Sequence, residues 1–217
     1  MCKNDTPDIV LISGDLTYNG ERTSHDEMKA ALKKLQQKGK RVYVITATHD
    51  YTTPRMPTYG IDKNDKYIEV ESVKRTQLLK YYGDFGYNNA IAKHKSTMSY
   101  VAQLADGYRL FALNDDYGDP DCGFSDELMN WVKTEANNAK RDGQYIIAMT
   151  HHPLVPPSPI YTAVAKGDML NDYELRSKQL SDLGFDFVLT GHTHMHNISY
   201  VSYTHLRAHE TCADLVC

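Results

Sequence analysis

Apolar and polar residues alternate along this chain in two rhythms, one of strands and one of helices. Residues 8–13 (DIVLIS) form an unbroken apolar run, expected to be a strand covered on both faces. A polar turn follows from Gly14 to Gly20, and Ser24-His25-Asp26-Glu27 then reads as a helix cap. Met28, Leu32 and Leu35 recur at helical spacing behind it, Gly39 stops the helix, and RVYVIT at 41–46 is the next strand. Two strands joined by a helix of this length must lie parallel.

The same phrase returns near the end, where a helix from Tyr173 to Leu183 is closed by Gly184 and followed by the strand FDFVLT at 185–190. Between the two phrases lie a Tyr-rich loop (51–68), a helix near 72–82 and a hairpin of strands 98–104 and 108–114 across Ala105-Asp106-Gly107. A helix at 126–141, the strand QYIIAMT (144–150) and a second long loop (154–170) complete the order. The expected class is α/β, with mixed β-sheets sandwiched by helices and no internal repeat. After about Tyr203 the run THLRAHETCADLVC loses both rhythms. The domain is therefore expected to span 1–202, with 203–217 a disordered or spurious tail.

Composition narrows the picture only where it departs from the ordinary. The 217 residues suffice for one α/β domain with a real core, and 41% apolar with 24% charged is typical of globular chains. A formal charge of −4 argues against a nucleic-acid binder, sequence-specific or otherwise, because such proteins carry a basic patch. No window approaches the ~18 apolar residues of a membrane span. None of the four cysteines forms a CxxC pair, so no disulfide framework is indicated. The ten histidines say more: His151, His152, His192, His194 and His196 fall in two short clusters.

Those clusters sit where strands end. Ser13-Gly14-Asp15 follows DIVLI, Thr48-His49-Asp50 follows VYVIT, His151-His152-Pro153 follows YIIAM, and Gly191-His192-Thr193-His194 follows FDFVLT. In open α/β sheets, ligands bind beyond the carboxyl ends of the strands, so four such termini point to a metal centre at one sheet edge. Asp15 offers a carboxylate able to bridge two cations. His192 and His194, at i and i+2 in a segment expected to be extended, share one side and suit one metal or a pair. One imidazole of His151-His152 is a candidate ligand, and the other a contact to substrate or a packed side chain. Asp50 beside His49 is the pairing that fixes a tautomer and raises basicity. No serine lies in a GxSxG elbow, and the glycine and lysine spacing of a P-loop is absent.

In this order and spacing, the motifs resemble those of the calcineurin-like metallophosphoesterases over about residues 8–200. The resemblance implies two divalent metal ions (Mn, Fe or Zn) and hydrolysis of a phosphomonoester or phosphodiester by metal-activated hydroxide. It also implies that Asp15 bridges the metals, that His151 and His192 complete one site, and that His194 belongs to the other. His49, steadied by Asp50, would contact the phosphate and assist the leaving group, with His152 placed to bind substrate. Two departures stand out. No Asp-x-His precedes Asp15, so the chain is expected to begin downstream of that element and of the family's first strand. Thr48 stands where the family has Asn, and a hydroxyl is the weaker ligand and shorter in reach.

The implied substrate is a phosphorylated small molecule or nucleotide, chosen by the long loops. Tyr51, Tyr59, Tyr67 and Tyr161 are candidates to stack on a base or sugar, or simply pack. The competing reading is a non-catalytic protein of the same fold that binds a partner or a single metal. Natural substrate, compartment and oligomeric state are not legible in the sequence.

Overall fold

The computed structural model describes residues 7–53, 57–116, 122–158, 160–200 and 207–210. The chain divides into two compact units, Met1–Asn88 and Asn89–Cys217.

In the first unit, β1 (Ile9–Ser13) and β2 (Arg41–Ile45) pair in parallel through the crossover helix α1 (Arg22–Gln37), as their spacing predicts. Within β1 only Ile12 is fully buried, whereas Val42 to Ile45 of β2 are all buried. The two-sided cover expected of β1 is thus only partial, and it is β2 that is covered on both faces. Helix α1 begins at Arg22, ahead of the anticipated cap, because the Arg22 N–H donates to the Glu71 carbonyl and Glu21 bridges to Ser72. His25 consequently lies inside the helix and is fully buried together with Leu32. Residues 51–68, expected as loop, contain a small antiparallel hairpin of β3 (Tyr59–Ile61) and β4 (Tyr67–Glu69). The helix expected near 72–82 is a single 3-10 turn, Arg75–Gln77, continued as α2 (Leu78–Tyr82).

The second unit holds a seven-stranded mixed sheet. In chain order its elements are β5 (Ala92–His94), β6 (Ser99–Ala105), β7 (Tyr108–Ala112), α3 (Asp126–Arg141), β8 (Tyr145–Met149), α4 (Tyr161–Val164), α5 (Tyr173–Asp182), β9 (Phe187–Thr190), β10 (Asn197–Tyr200) and β11 (Arg207–Glu210). β6 and β7 are the expected hairpin, and β7, β8 and β9 run parallel as neighbours. β11 pairs parallel to β9 and antiparallel to β10, within the segment where the sequence predicts no element. Residues 203–206 and 211–217 of that segment lie outside the described residues.

Helix α3 shows why this unit holds. Ser125 caps it by accepting the Leu128 N–H at 3.1 Å, acids fill its first turn, and Lys140 and Arg141 fill its last, complementing the helix dipole. Its inner face of Leu128, Met129, Val132, Ala136 and Ala139 joins Phe111, Leu113, Ile146, Phe185 and Val188 in one core. Full burial of each large apolar side chain there contributes roughly 1.5–3 kcal/mol. Phe111 meets Phe185 edge-to-face at 4.9 Å, fixing β7 against the loop that enters β9. Such a core leaves the carboxyl ends of β7, β8 and β9 side by side. Among the described residues no helix is long and apolar enough to cross a membrane.

Candidate metal centre

In the first unit, β1 delivers Gly14 (φ 100°) and Asp15 (φ 53°), both left-handed. Glycine adopts that conformation without penalty and a short polar side chain at modest cost, which is why this pair of residues can make the turn. The Asp15 Oδ1 accepts the His49 N–H at 3.1 Å, so the turn after β1 is tied to the single 3-10 turn Thr48–Asp50 after β2. Asp50 makes the tie rigid. It is fully buried, and its carboxylate accepts the N–H groups of Leu16 (2.6 Å), Thr17 (3.0 Å) and Ala47 (2.8 Å). Hydrogen bonds to a buried charge are the stronger kind, each about 1.5–3 kcal/mol.

His25 supports this clamp from α1. Its Nε2–H donates to the Asp50 carbonyl at 3.0 Å, which leaves Nδ1 to accept from the Tyr82 hydroxyl. Burial pushes the His25 imidazole below its ordinary pKa, with the Asp50 carbonyl opposing, and burial pushes the Tyr82 phenol up. Both groups are therefore neutral near pH 7.

The partner at the His49 ring differs from the expected one. Its Nδ1 faces the Tyr18 carbonyl, an acceptor only, so the proton sits on Nδ1 and the neutral ring presents its lone pair at Nε2. Asp50 fixes the turn through the backbone, and the carbonyl fixes the tautomer. Asp15, Thr48 and His49 are all half-buried.

In the second unit, three adjacent parallel strands deliver the chemistry. β8 leads to His151 and His152, which are 1% and 3% exposed, and β9 leads to the half-buried His192. The two turns are laced together: Thr150 N–H donates to the Leu189 carbonyl and Gly191 N–H to the His151 carbonyl at 2.9 Å. His151 Nε2 stands 3.2 Å from His192 Nδ1, and one ligand nitrogen from each of His151, His152 and His192 lies within 4.8 Å of the other two. Two imidazole nitrogens on one tetrahedral Zn, bound at 2.0–2.1 Å, stand about 3.3 Å apart. The donor set and its spacing fit a divalent transition metal.

Beyond β7 lies Asp115, which no histidine motif marks. It is completely buried, and its Oδ2 accepts the Thr150 hydroxyl (2.8 Å) and the N–H groups of His151 (3.1 Å) and His152 (2.7 Å). Its Oδ1 stands 3.2 Å from His152 Nδ1, a charge pairing without an aligned hydrogen bond, and neither atom has another partner among the described residues. Burial alone would lower the His152 pKa, but the Asp115 carboxylate outweighs it and the imidazole is pushed up to about 11. Burial likewise works against the Asp115 charge, yet His152 and His151 hold its carboxyl well below the usual range. The signal for Asp115 is the one used elsewhere, a polar residue at a strand's carboxyl end (Leu113-Asn114-Asp115), but an acid without a neighbouring histidine is too common to single out.

His194 departs from its expected geometry. The alternation that puts i and i+2 on one side requires extended backbone, but His192 and His194 have φ of 75° and 56°. His194 is exposed and lies outside the three-histidine cluster.

Comparison with known proteins speaks to the family and the fold. The profile of the calcineurin-like phosphoesterase family matches residues 1–196. A dimetal phosphatase from Danio rerio has a similar structure, with a TM-score of 0.63 over 94% of this chain and 71% of that chain, at 11% sequence identity. No curated protein matches significantly. With its strand-end motifs, mixed α/β architecture and profile match in agreement, the chain belongs to the calcineurin-like phosphoesterase family.

Proposed function

We propose that this protein is a metal-dependent phosphoesterase that hydrolyses a phosphomonoester or phosphodiester of a small molecule or nucleotide with two divalent cations. The observation that carries the reading is the clustering of one ligand nitrogen each from the buried His151 and His152 and the half-buried His192, with the turn of the first two pinned by Asp115. Family membership supplies the reaction class. The three imidazoles would hold one cation, His152 giving up its ring proton to do so, and Asp15, His194 and the weaker Thr48 hydroxyl are further candidate ligands, each on its own strand-end turn. Bound there, divalent cations supply Lewis acidity, lowering the pKa of water toward ~7 and offsetting charge on the phosphoryl oxygens.

The chain's own residues do the rest. Asp115 orients His152 by facing Nδ1, which leaves Nε2 as the nitrogen able to ligate, the arrangement in which an outer carboxylate raises ligand basicity. His49, with Nδ1–H held by the Tyr18 carbonyl, takes up a proton at Nε2 and donates it to the leaving-group oxygen.

The test is hydrolysis of bis-p-nitrophenyl phosphate and p-nitrophenyl phosphate by the full chain, with and without added Mn or Zn. Metal-dependent turnover that falls at least ~100-fold in kcat/KM in His192→Ala is expected, since even outer partners of metal ligands are worth 10–100-fold. Turnover indifferent to metal, or to loss of His192, contradicts the reading.

A further inference from the structure

One face of the first unit carries a feature that the reaction does not explain. Tyr18, Tyr59 and Tyr67, with Glu21, line an open cleft of about 580 Å³, within the range of small-molecule sites. Tyr18 and Tyr67 are 65% and 73% exposed, unusual for rings that a fold could bury. Tyr59 stands edge-to-face with both, at 4.7 Å and 84° to Tyr67 and at 6.3 Å and 80° to Tyr18. The rings thus brace one another upright, and Tyr18 and Tyr67 stay largely open to solvent. The hairpin of β3 and β4 exists to present two of them: Tyr59 and Tyr67 sit at opposite ends of three-residue strands.

Position gives the cleft its meaning. The Tyr18 carbonyl accepts the His49 Nδ1–H, and its ring centroid lies 6.0 Å from that of His49. The aromatic cleft therefore begins where the leaving-group donor ends. Among the described residues its one charged lining residue is Glu21, whose oxygens accept the Asn19 N–H at 3.1 and 3.2 Å and retain further lone pairs. A carboxylate there repels a second anionic group and accepts from N–H donors. A sugar phosphate lacks the π-face, a phosphotyrosyl ring lacks the N–H donors, and a polyphosphate carries the wrong charge.

We propose that this cleft is a subsite for the neutral planar base of a nucleotide substrate, stacked on Tyr67 or Tyr18 and donating an exocyclic amine to Glu21. The assignment rests on the phosphoesterase reading for its role in substrate choice, but base binding itself does not depend on hydrolysis. Stacking on an aromatic side chain is typically worth roughly tenfold or more in affinity per base.

The experiment uses nucleosides, which carry no phosphate and need no metal. The full chain is titrated by NMR with adenosine, with purine riboside (the same ring without the amine) and with ribose. Adenosine is expected to bind about tenfold more tightly than purine riboside, the discrimination a charged acceptor gives, and ribose not measurably. Tyr67→Ala, at a position too exposed to threaten folding, should weaken adenosine at least about tenfold. Glu21→Gln should shrink the preference for adenosine over purine riboside to less than about threefold. Equal binding of adenosine and ribose, or undiminished adenosine binding by Tyr67→Ala, overturns the subsite. Adenosine binding without metal-dependent hydrolysis of any phosphoester would sustain the subsite and sink the catalytic reading. Hydrolysis without adenosine binding would do the reverse.

Discussion

Each of the two units anchors its strand-end turns with one fully buried aspartate, and the two aspartates are used differently. Asp50 gives its carboxylate to three backbone N–H groups, those of Leu16, Thr17 and Ala47. Asp115 takes the Thr150 hydroxyl and two N–H groups on Oδ2 alone and keeps Oδ1 for the His152 ring. The first is scaffolding: it shapes the turns that carry Asp15, Thr48 and His49 and leaves those side chains half-buried. The second couples scaffold to chemistry, because the carboxylate that holds the backbone also sets the charge of a candidate ligand. A turn bearing hard oxygen ligands needs only shape, whereas a buried imidazole needs its orientation and proton fixed as well.

Breaking the two clamps separately should expose the difference. Asp115→Ala has the larger expected effect, about 3–5 kcal/mol in urea unfolding of the metal-free protein, because it breaks a buried charge pair and leaves two N–H groups and the Thr150 hydroxyl without their acceptor. Asp50→Ala should cost less, about 2–4 kcal/mol, since only neutral donors lose their acceptor. If the ranking reverses, the charge coupling assigned to Asp115 is wrong.

A smaller and more diagnostic effect is pH dependence in metal-free protein. The Asp115 carboxyl is lowered by folding, so its contribution is present above its unfolded pKa near 3.9 and is lost as acid protonates it. His152 is raised to about 11, so its contribution is complete below its unfolded pKa near 6.5 and fades as pH rises toward 11. Stability from this pair should therefore plateau between about pH 4 and 6.5 and decline on both sides, with Asp115→Asn flattening the profile. A wild-type profile no steeper than the variant's speaks against the pairing.

Much of this was legible before any coordinates. The strands ending at Ser13, Ile45, Met149 and Thr190 follow from apolar runs bounded by glycine or histidine, and the parallel pair β1–β2 from the helix between them. What escaped has physical reasons. β3, β4 and β5 have three residues each, too few for any period to show, and the polar run Asp62 to Lys66 disguises a tight hairpin as loop. His25 reads as a polar cap residue because its partners, Tyr82 and the Asp50 carbonyl, are distant in sequence. The extended backbone expected to put His192 and His194 on one side is absent, because both residues have positive φ. Asp115 is one acid among many until the fold brings it under His151 and His152.

The central claim is that His151, His152 and His192 hold one divalent cation. Isothermal titration of the full chain with Zn tests it most directly, in wild type, in His192→Ala and in His196→Ala, the last an exposed histidine outside the cluster. The account predicts a tight site in wild type and His196→Ala and an affinity at least ~100-fold weaker in His192→Ala. Equal affinity in all three proteins would contradict it.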